Sequence, residues 1–251
     1  MRLATRSARV TELQFDSARD RLIVALDVSS LDGARTLAQR VGPEVGWLKV
    51  GLELFLEAGR DAVRLGEQVG RPVFLDLKLH DIPETVERAV ARACAMGARL
   101  LTVHASGGHT MLERAVKRAE AENTGLHVVA VTVLTSLDDG DLVAMGVGAT
   151  ASAHTARLAR LAWSSGVRVF VCSPHEAPEL RRELGAQATL ITPGVRPSDA
   201  VDDQKRVATA RWAIGAGADA LVVGRPVRDA ADPASAAREL VAEIAAARGD
   251  R

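Results

Sequence analysis

Short apolar, β-branched runs alternate with Ala-, Arg- and Leu-rich helical stretches along the whole chain, and this alternation constrains the fold more than any other feature. Brief apolar strands separated by helices are the pattern of a parallel sheet, because crossover helices cover both faces of the strands. The strand candidates are Leu22–Val28, Trp47–Leu52, Val73–Leu79, Leu100–His104, His127–Leu134, Arg168–Cys172, Thr189–Ile191 and Leu221–Gly224. Helical periodicity marks Glu84–Met96 and Met111–Ala121, and a last helix from about Pro233 to Ala247. Eight strand–helix units in about 230 residues predict an α/β chain closed into a single-domain (β/α)8 TIM barrel. An open doubly wound sheet is the main rival. It would carry a glycine-rich turn after the first strand, where this chain has Asp27-Val28-Ser29-Ser30. No linker or shift in composition interrupts the pattern, so residues 21–251 read as one barrel domain behind a leader of residues 1–20.

Composition narrows the function classes. The formal net charge is zero, which removes the electrostatic case for a nucleic-acid or anionic-membrane partner. Aromatic residues are 3% of the chain and Tyr is absent, which also argues against base stacking. No apolar run is long enough to span a membrane. Cys94 and Cys172 lie far apart without metal-ligand spacing, so two packed thiols in a reduced cytoplasmic protein are expected. The leader contains Arg2, Arg6 and Arg9 but no apolar core for a signal peptide, and Glu12, Asp16 and Asp20 weaken a transit-peptide reading. A short, partly disordered leader is the expectation.

The segment FLDLKLHDIPET, Phe74 to Thr85, departs from the apolar strand pattern. It brings Asp76, Lys78 and Asp81 within six residues at the end of a buried strand. An unpaired ion taken out of water costs several kcal/mol. On a strand, Asp76 and Lys78 project from one face while Leu75, Leu77 and Leu79 project from the other. Other polar residues also fall at strand ends: Asp27, Lys49, His104, Thr135, Ser136, Arg196 and Arg225. Active sites of such barrels lie at the carboxyl ends of the strands.

Asp27, Lys49, Asp76, Lys78 and Asp81 form an alternating set of charges able to converge in one cleft. For any one of them a structural ion pair is the alternative; five together favour function. A substrate carboxylate pressed against a fixed Asp is destabilised, and a neighbouring Lys can stabilise or protonate the carbanion left behind. Such chemistry needs preorganised charge and neither a metal nor an organic cofactor. A second group suits phosphate: Gly194, Arg196 and Pro197 after the seventh strand, then Gln204, and Gly224-Arg225-Pro226 after the eighth. His80 is expected to point away from Asp76, and His104 reads equally well as packed or functional. His109, His127, His154 and His175 show no ligand pairing, and Gly146-Val147-Gly148 is a lone glycine pair. Ser29, Ser30 and Asp16 read as helix caps or surface groups.

With these residues in view, DLKLHDIPET resembles the signature of the orotidine 5′-phosphate decarboxylase family. The likeness extends through ALDV at Ala25–Val28, LKVG at Leu48–Gly51, VHASGG at Val103–Gly108 and VTVLTS at Val131–Ser136. It continues through CSPHEA at Cys172–Ala177, TPGVRP at Thr192–Pro197, DDQKRV at Asp202–Val207 and VGRPV at Val223–Val227. The resemblance implies cofactor-independent conversion of orotidine 5′-phosphate to UMP and carbon dioxide, the last step of de novo pyrimidine biosynthesis. It implies that Lys78 protonates C6 of the pyrimidine, that Asp76 lies against the departing carboxylate, and that Lys49 and Asp27 orient the ribose and the charges. Asp81, with Ile82 and Thr85, would reach into a neighbouring subunit's site and make a homodimer obligatory. Thr135 and Ser136 would hold the pyrimidine, and Arg196, Gln204, Gly224 and Arg225 the phosphate.

Phosphate binding remote from the reaction can drive loop closure, so the loops after strands five and seven are expected to move, with Asp138–Gly148 as a lid. The nearest rival on this scaffold is the magnesium-dependent group of 3-keto-gulonate 6-phosphate decarboxylases and hexulose-phosphate synthases. That group resembles this chain in an Asp-x-Lys-x-x-Asp motif but uses a second-strand carboxylate on the metal. Lys49 stands there instead, and its charge would repel a divalent ion. A non-catalytic phosphate-binding barrel is the other alternative, and the presence of Asp76, Lys78 and Asp81 argues against it.

Overall fold

The structure, a computed structural model of the chain, describes residues 13, 15–196 and 208–249. Eight strands follow one another around a closed barrel: β1 (Leu22–Ala25), β2 (Trp47–Gly51), β3 (Val73–Leu79), β4 (Leu100–His104), β5 (His127–Val131), β6 (Val169–Val171), β7 (Thr189–Thr192) and β8 (Ala220–Val223). Every neighbouring pair is parallel, and β1 closes on β8 through Leu22↔Leu221 and Val24↔Val223. The closed (β/α)8 barrel expected from the alternation is present.

Local chemistry sets where the helices between strands begin and end. The helix Leu31–Val41 starts at Ser30, whose side chain accepts a hydrogen bond from the Gly33 amide at 3.2 Å. Pro83 opens the helix Pro83–Met96, where its missing N–H costs nothing. That helix stops at Gly97, whose φ of 88° a side chain would oppose. There the amides of Gly97 and Ala98 return to Cys94 and Ala93 at 3.0 and 3.2 Å. This stop delivers the chain directly into β4.

Two apolar layers result. Alternate strand residues such as Val24, Leu48, Leu75, Leu101 and Ala130 pack outward against the helices, while Ile23, Phe74, Leu100, Val129, Val169 and Ile191 fill the barrel. Phe15 is buried and packs its ring 6.0 Å from that of Trp47, the first residue of β2, closing the amino-terminal mouth. Of the residues read as a leader, 1–12 and 14 lie outside the described residues. The cavity lies at the opposite, carboxyl end of the strands. Among the described residues no helix is long and apolar enough to cross a membrane.

Four strands are shorter than the sequence suggests, β2 by its last residue alone. β1 ends at Ala25 because the chain turns sharply there, with the Val28 amide donating to the Leu26 carbonyl at 3.0 Å. Asp27 is thereby lifted from the wall to the rim. β5 and β6 stop at Val131 and Val171, although Thr132–Leu134 and Cys172 continue the apolar pattern. The expected lid carries a short helix, Asp139–Ala144, held by reciprocal capping between Asp138 and Asp141.

Candidate active site

On the inner face the side chains change from apolar to polar one step before the strands end. Lys49 follows Trp47 on β2, Asp76 follows Phe74 on β3, and Thr102 follows Leu100 on β4, each two residues on and on the same face. The opposite wall stays apolar through Val131, Val171 and Val222. Between them lies a cavity of about 290 Å3. One side is ionic and the other apolar, which suits a planar ligand with a charged reacting edge.

Asp76 is the hub of the ionic side. Its Oδ1 accepts from Lys78 Nζ at 2.8 Å and from Thr102 Oγ1 at 3.0 Å, and its Oδ2 lies 3.6 Å from Lys49 Nζ. Lys49 Nζ also donates to Asp27 Oδ1 at 3.0 Å. The order in space is Asp27, Lys49, Asp76, Lys78, with charge alternating at each step. Burial pushes the Asp76 carboxyl upward, but Lys49, Lys78 and the hydrogen bonds outweigh it and hold the group below the usual carboxylate range. Asp76 is thus a permanent anion at neutral pH. His104, at the end of β4, is also shifted down, but by burial first, with His80 and Lys78 lowering it further. Its ring lies 5.4 Å from that of His80, which is exposed and outside the cavity wall.

The meeting of Asp76 and Lys78 does not come from simple strand alternation. Leu75 pairs with Leu101, yet Leu79 pairs with Val103, so β3 advances four residues while β4 advances two. Asp76, Leu77 and Lys78 form a bulge opposite Thr102 alone. Lys78 sits at φ 50°, a left-handed conformation that costs a β-substituted residue on the order of 1–3 kcal/mol. The expectation that both charges share a face holds at the ammonium and carboxylate; the backbone reaches that result by a bulge.

Gly194, Arg196, Gly224 and Arg225 also contribute to the cavity lining. Arg196 is held by its own amide, which donates to Ala208 O at 2.9 Å, and Nη1 donates to Val195 O at 3.0 Å. A Cβ on Gly224 would stand 3.5 Å from Asp27 Oδ2, so the glycine keeps this wall close to the charge chain. Pro197 and Gln204 lie outside the described residues.

Thr135 lines the cavity, whereas Ser136 is exposed and does not. Asp81, Ile82 and Thr85 stand at the junction of β3 and the following helix, outside this chain's cavity. The Ile82 amide donates to Asp81 Oδ1 at 2.6 Å, and Ile82 is 66% exposed. Sequence reasoning missed Thr102, which is fully buried, and Arg228, whose Nη1 donates to the Asp27 carbonyl at 2.8 Å and anchors the rim. The signal for Thr102 was a lone hydroxyl within LLTVH, level with two charges. Arg228 carried no local signal.

Comparison with known proteins agrees with this geometry. The model of the orotidine 5′-phosphate decarboxylase / HUMPS family matches residues 20–240. An orotidine 5′-phosphate decarboxylase of Anaeromyxobacter sp. (strain K) is 54% identical over 226 residues, covering 90% of this chain and 98% of that protein. Its counterpart from Rhodopseudomonas palustris (strain HaA2) is 47% identical over 231 residues, covering 92% and 97%. A crystal structure of orotidine 5′-phosphate decarboxylase from Lactobacillus acidophilus superimposes with a TM-score of 0.78 at 33% identity, covering 89% of this chain and 98% of that one. The chain belongs to the orotidine 5′-phosphate decarboxylase / HUMPS family.

Proposed function

We propose that this protein decarboxylates orotidine 5′-phosphate to UMP and carbon dioxide without a cofactor, the last step of de novo pyrimidine synthesis. The observation that carries the reading is the contact of Lys78 Nζ and Asp76 Oδ1 at 2.8 Å, in a cavity that Arg196 and Arg225 also line. Arg196 and Arg225, with Gln204, grip the phosphate, and Val131, Val171 and Thr135 receive the pyrimidine. The C6 carboxylate is thereby brought against Asp76, an anion the site keeps ionised. Loss of carbon dioxide breaks the C6–carboxyl bond, leaves its electron pair on C6 and relieves the repulsion. Lys78 then gives its proton to C6. As carbon dioxide leaves, the negative charge passes from the carboxylate to C6, and the Lys78 ammonium stabilises it more strongly there, which is the differential binding that accelerates a reaction.

Residues 21–251 act as the catalytic barrel. Asp81, Ile82 and Thr85 complete the site of a second copy in a homodimer, a role that fits their exposure and their position outside the chain's own cavity. Two buried free thiols, Cys94 and Cys172, fit a reducing cytoplasm.

The family model also spans enzymes of the HUMPS type. Lys49 separates the readings. Its ammonium sits 3.0 Å from Asp27 and 3.6 Å from Asp76, and so occupies the place between carboxylates that a divalent ion would need. The test is the fall in orotidine 5′-phosphate absorbance with purified protein in excess EDTA. Sustained turnover is expected. A folded, dimeric protein that leaves the substrate unchanged would overturn the assignment.

A further inference from the structure

We infer that Thr102 is a positioning residue for the reaction: its hydroxyl locks the bulge that carries Lys78 and fixes the carboxylate of Asp76. The inference rests on the decarboxylase reading above. Between Leu101 and Val103 on β4 there is one residue, Thr102; between the facing Leu75 and Leu79 on β3 there are three. The bulged backbone has lost its regular ladder partners there. The Lys78 amide instead donates to Thr102 Oγ1 at 2.8 Å, and the same hydroxyl donates onward to Asp76 Oδ1 at 3.0 Å. A threonine hydroxyl offers one donor and can accept, and both functions are used here.

Thr102 has no exposed surface, so water is not at hand to take over either bond. Without the hydroxyl, a buried amide of a residue held at φ 50° loses its acceptor, and the strand is freer to relax towards regular pairing. Relaxation would return Lys78 to the extended region and shift its ammonium from its present place against the Asp76 carboxylate. Thr102 pairs in register with Val129 of the inner apolar layer, where a valine would fit by shape, so the hydroxyl rather than the bulk makes this residue specific. No atom of Thr102 lines the substrate cavity, and its influence passes through Lys78 and Asp76.

The test compares Thr102→Val, which keeps the shape and deletes the hydroxyl, with Thr102→Ser, which keeps the hydroxyl. Both are measured beside the unaltered enzyme for kcat, KM and UMP affinity. Because misplacing reacting groups by about 1 Å can cost about 100-fold, Thr102→Val should lose roughly 10- to 100-fold in kcat. UMP affinity should change little, since Thr102 lines no part of the cavity that takes the phosphate, and Thr102→Ser should recover most of kcat. If the valine variant does not fold, Thr102→Ala carries the same expectation. Equal kcat with and without the hydroxyl, or a serine variant as slow as the valine one, overturns the inference and leaves the decarboxylase reading intact. Failure of both hydroxyl-free variants to fold while the serine variant folds would make the role structural and also overturn it. An unaltered enzyme that does not turn over would remove the function and the inference together.

Discussion

Replacing Lys49 by Met keeps the length of the side chain and deletes its charge, and the structure gives the size of the expected effect. The Lys49 side chain is 11% exposed and that of Asp76 15%, so this pair is poorly screened. At 3.6 Å and an effective dielectric near 20, the gross attraction is about 5 kcal/mol. Lys78 remains beside Asp76 at 2.8 Å, and the variant no longer has to desolvate an ammonium. Those two offsets reduce the expected loss to about 2–3 kcal/mol near neutral pH, at the low end for breaking a buried pair. The more exposed Asp27 adds at most about 1 kcal/mol.

The pH dependence of that loss identifies its cause. Asp76 is depressed in the folded protein, so it contributes stability that is present above its unfolded value near 3.9 and is lost as pH falls through its folded value. In Lys49→Met the folded value moves up. The difference between the two proteins should therefore be largest near pH 7 and shrink as acid neutralises Asp76 in the variant. Urea melts at a series of pH values and one fixed protein concentration measure this directly, because assembly would otherwise enter the midpoint. A loss that does not vary with pH, or a variant as stable as the parent at pH 7, would refute the claim that Lys49 is bound to Asp76 by charge.

Three further outcomes are expected. Lys78→Ala should still bind UMP while losing at least about 1000-fold in turnover, since it removes both the proton and the charge facing C6; isothermal titration beside a single-turnover assay checks this, and lost UMP binding would sink the division of labour. Mixing inactive Asp81→Ala and Lys78→Ala subunits should restore activity, because one site in each hybrid dimer is intact; proven exchange without recovery would exclude a shared site. Gly51→Ala would set a Cβ 3.1 Å from Lys49 Nζ and 3.2 Å from Asp27 Oδ1 at a backbone φ of −90° that alanine accepts. Activity should fall about 10-fold through displaced charges while the melting temperature changes little, and steady-state kinetics beside a thermal melt would show whether the two separate.

Much of the fold was legible in the sequence, because strand and helix periodicity are local properties. Val73–Leu79 and Leu100–His104 form strands over the stretches their apolar pattern marks, and the alternation with helices predicts the closed parallel order. Strand ends were less legible. Leu26–Val28 and Thr132–Leu134 remain good strand formers, and what stops β1 and β5 there is a tight turn or the end of a neighbour's hydrogen bonds. The charged residues announced a site because ions on a buried strand are costly, and Asp27, Lys49, Asp76 and Lys78 do converge. The amino acids alone determined the barrel, the end at which its site opens and the kind of charge it holds. Only the tertiary structure decided that β3 slips by two residues against β4, that Lys78 takes a left-handed backbone, and that Thr102 faces both charges. Register between strands is set when the barrel closes and distant residues compete for the same partners, and no pattern within a single strand encodes that outcome.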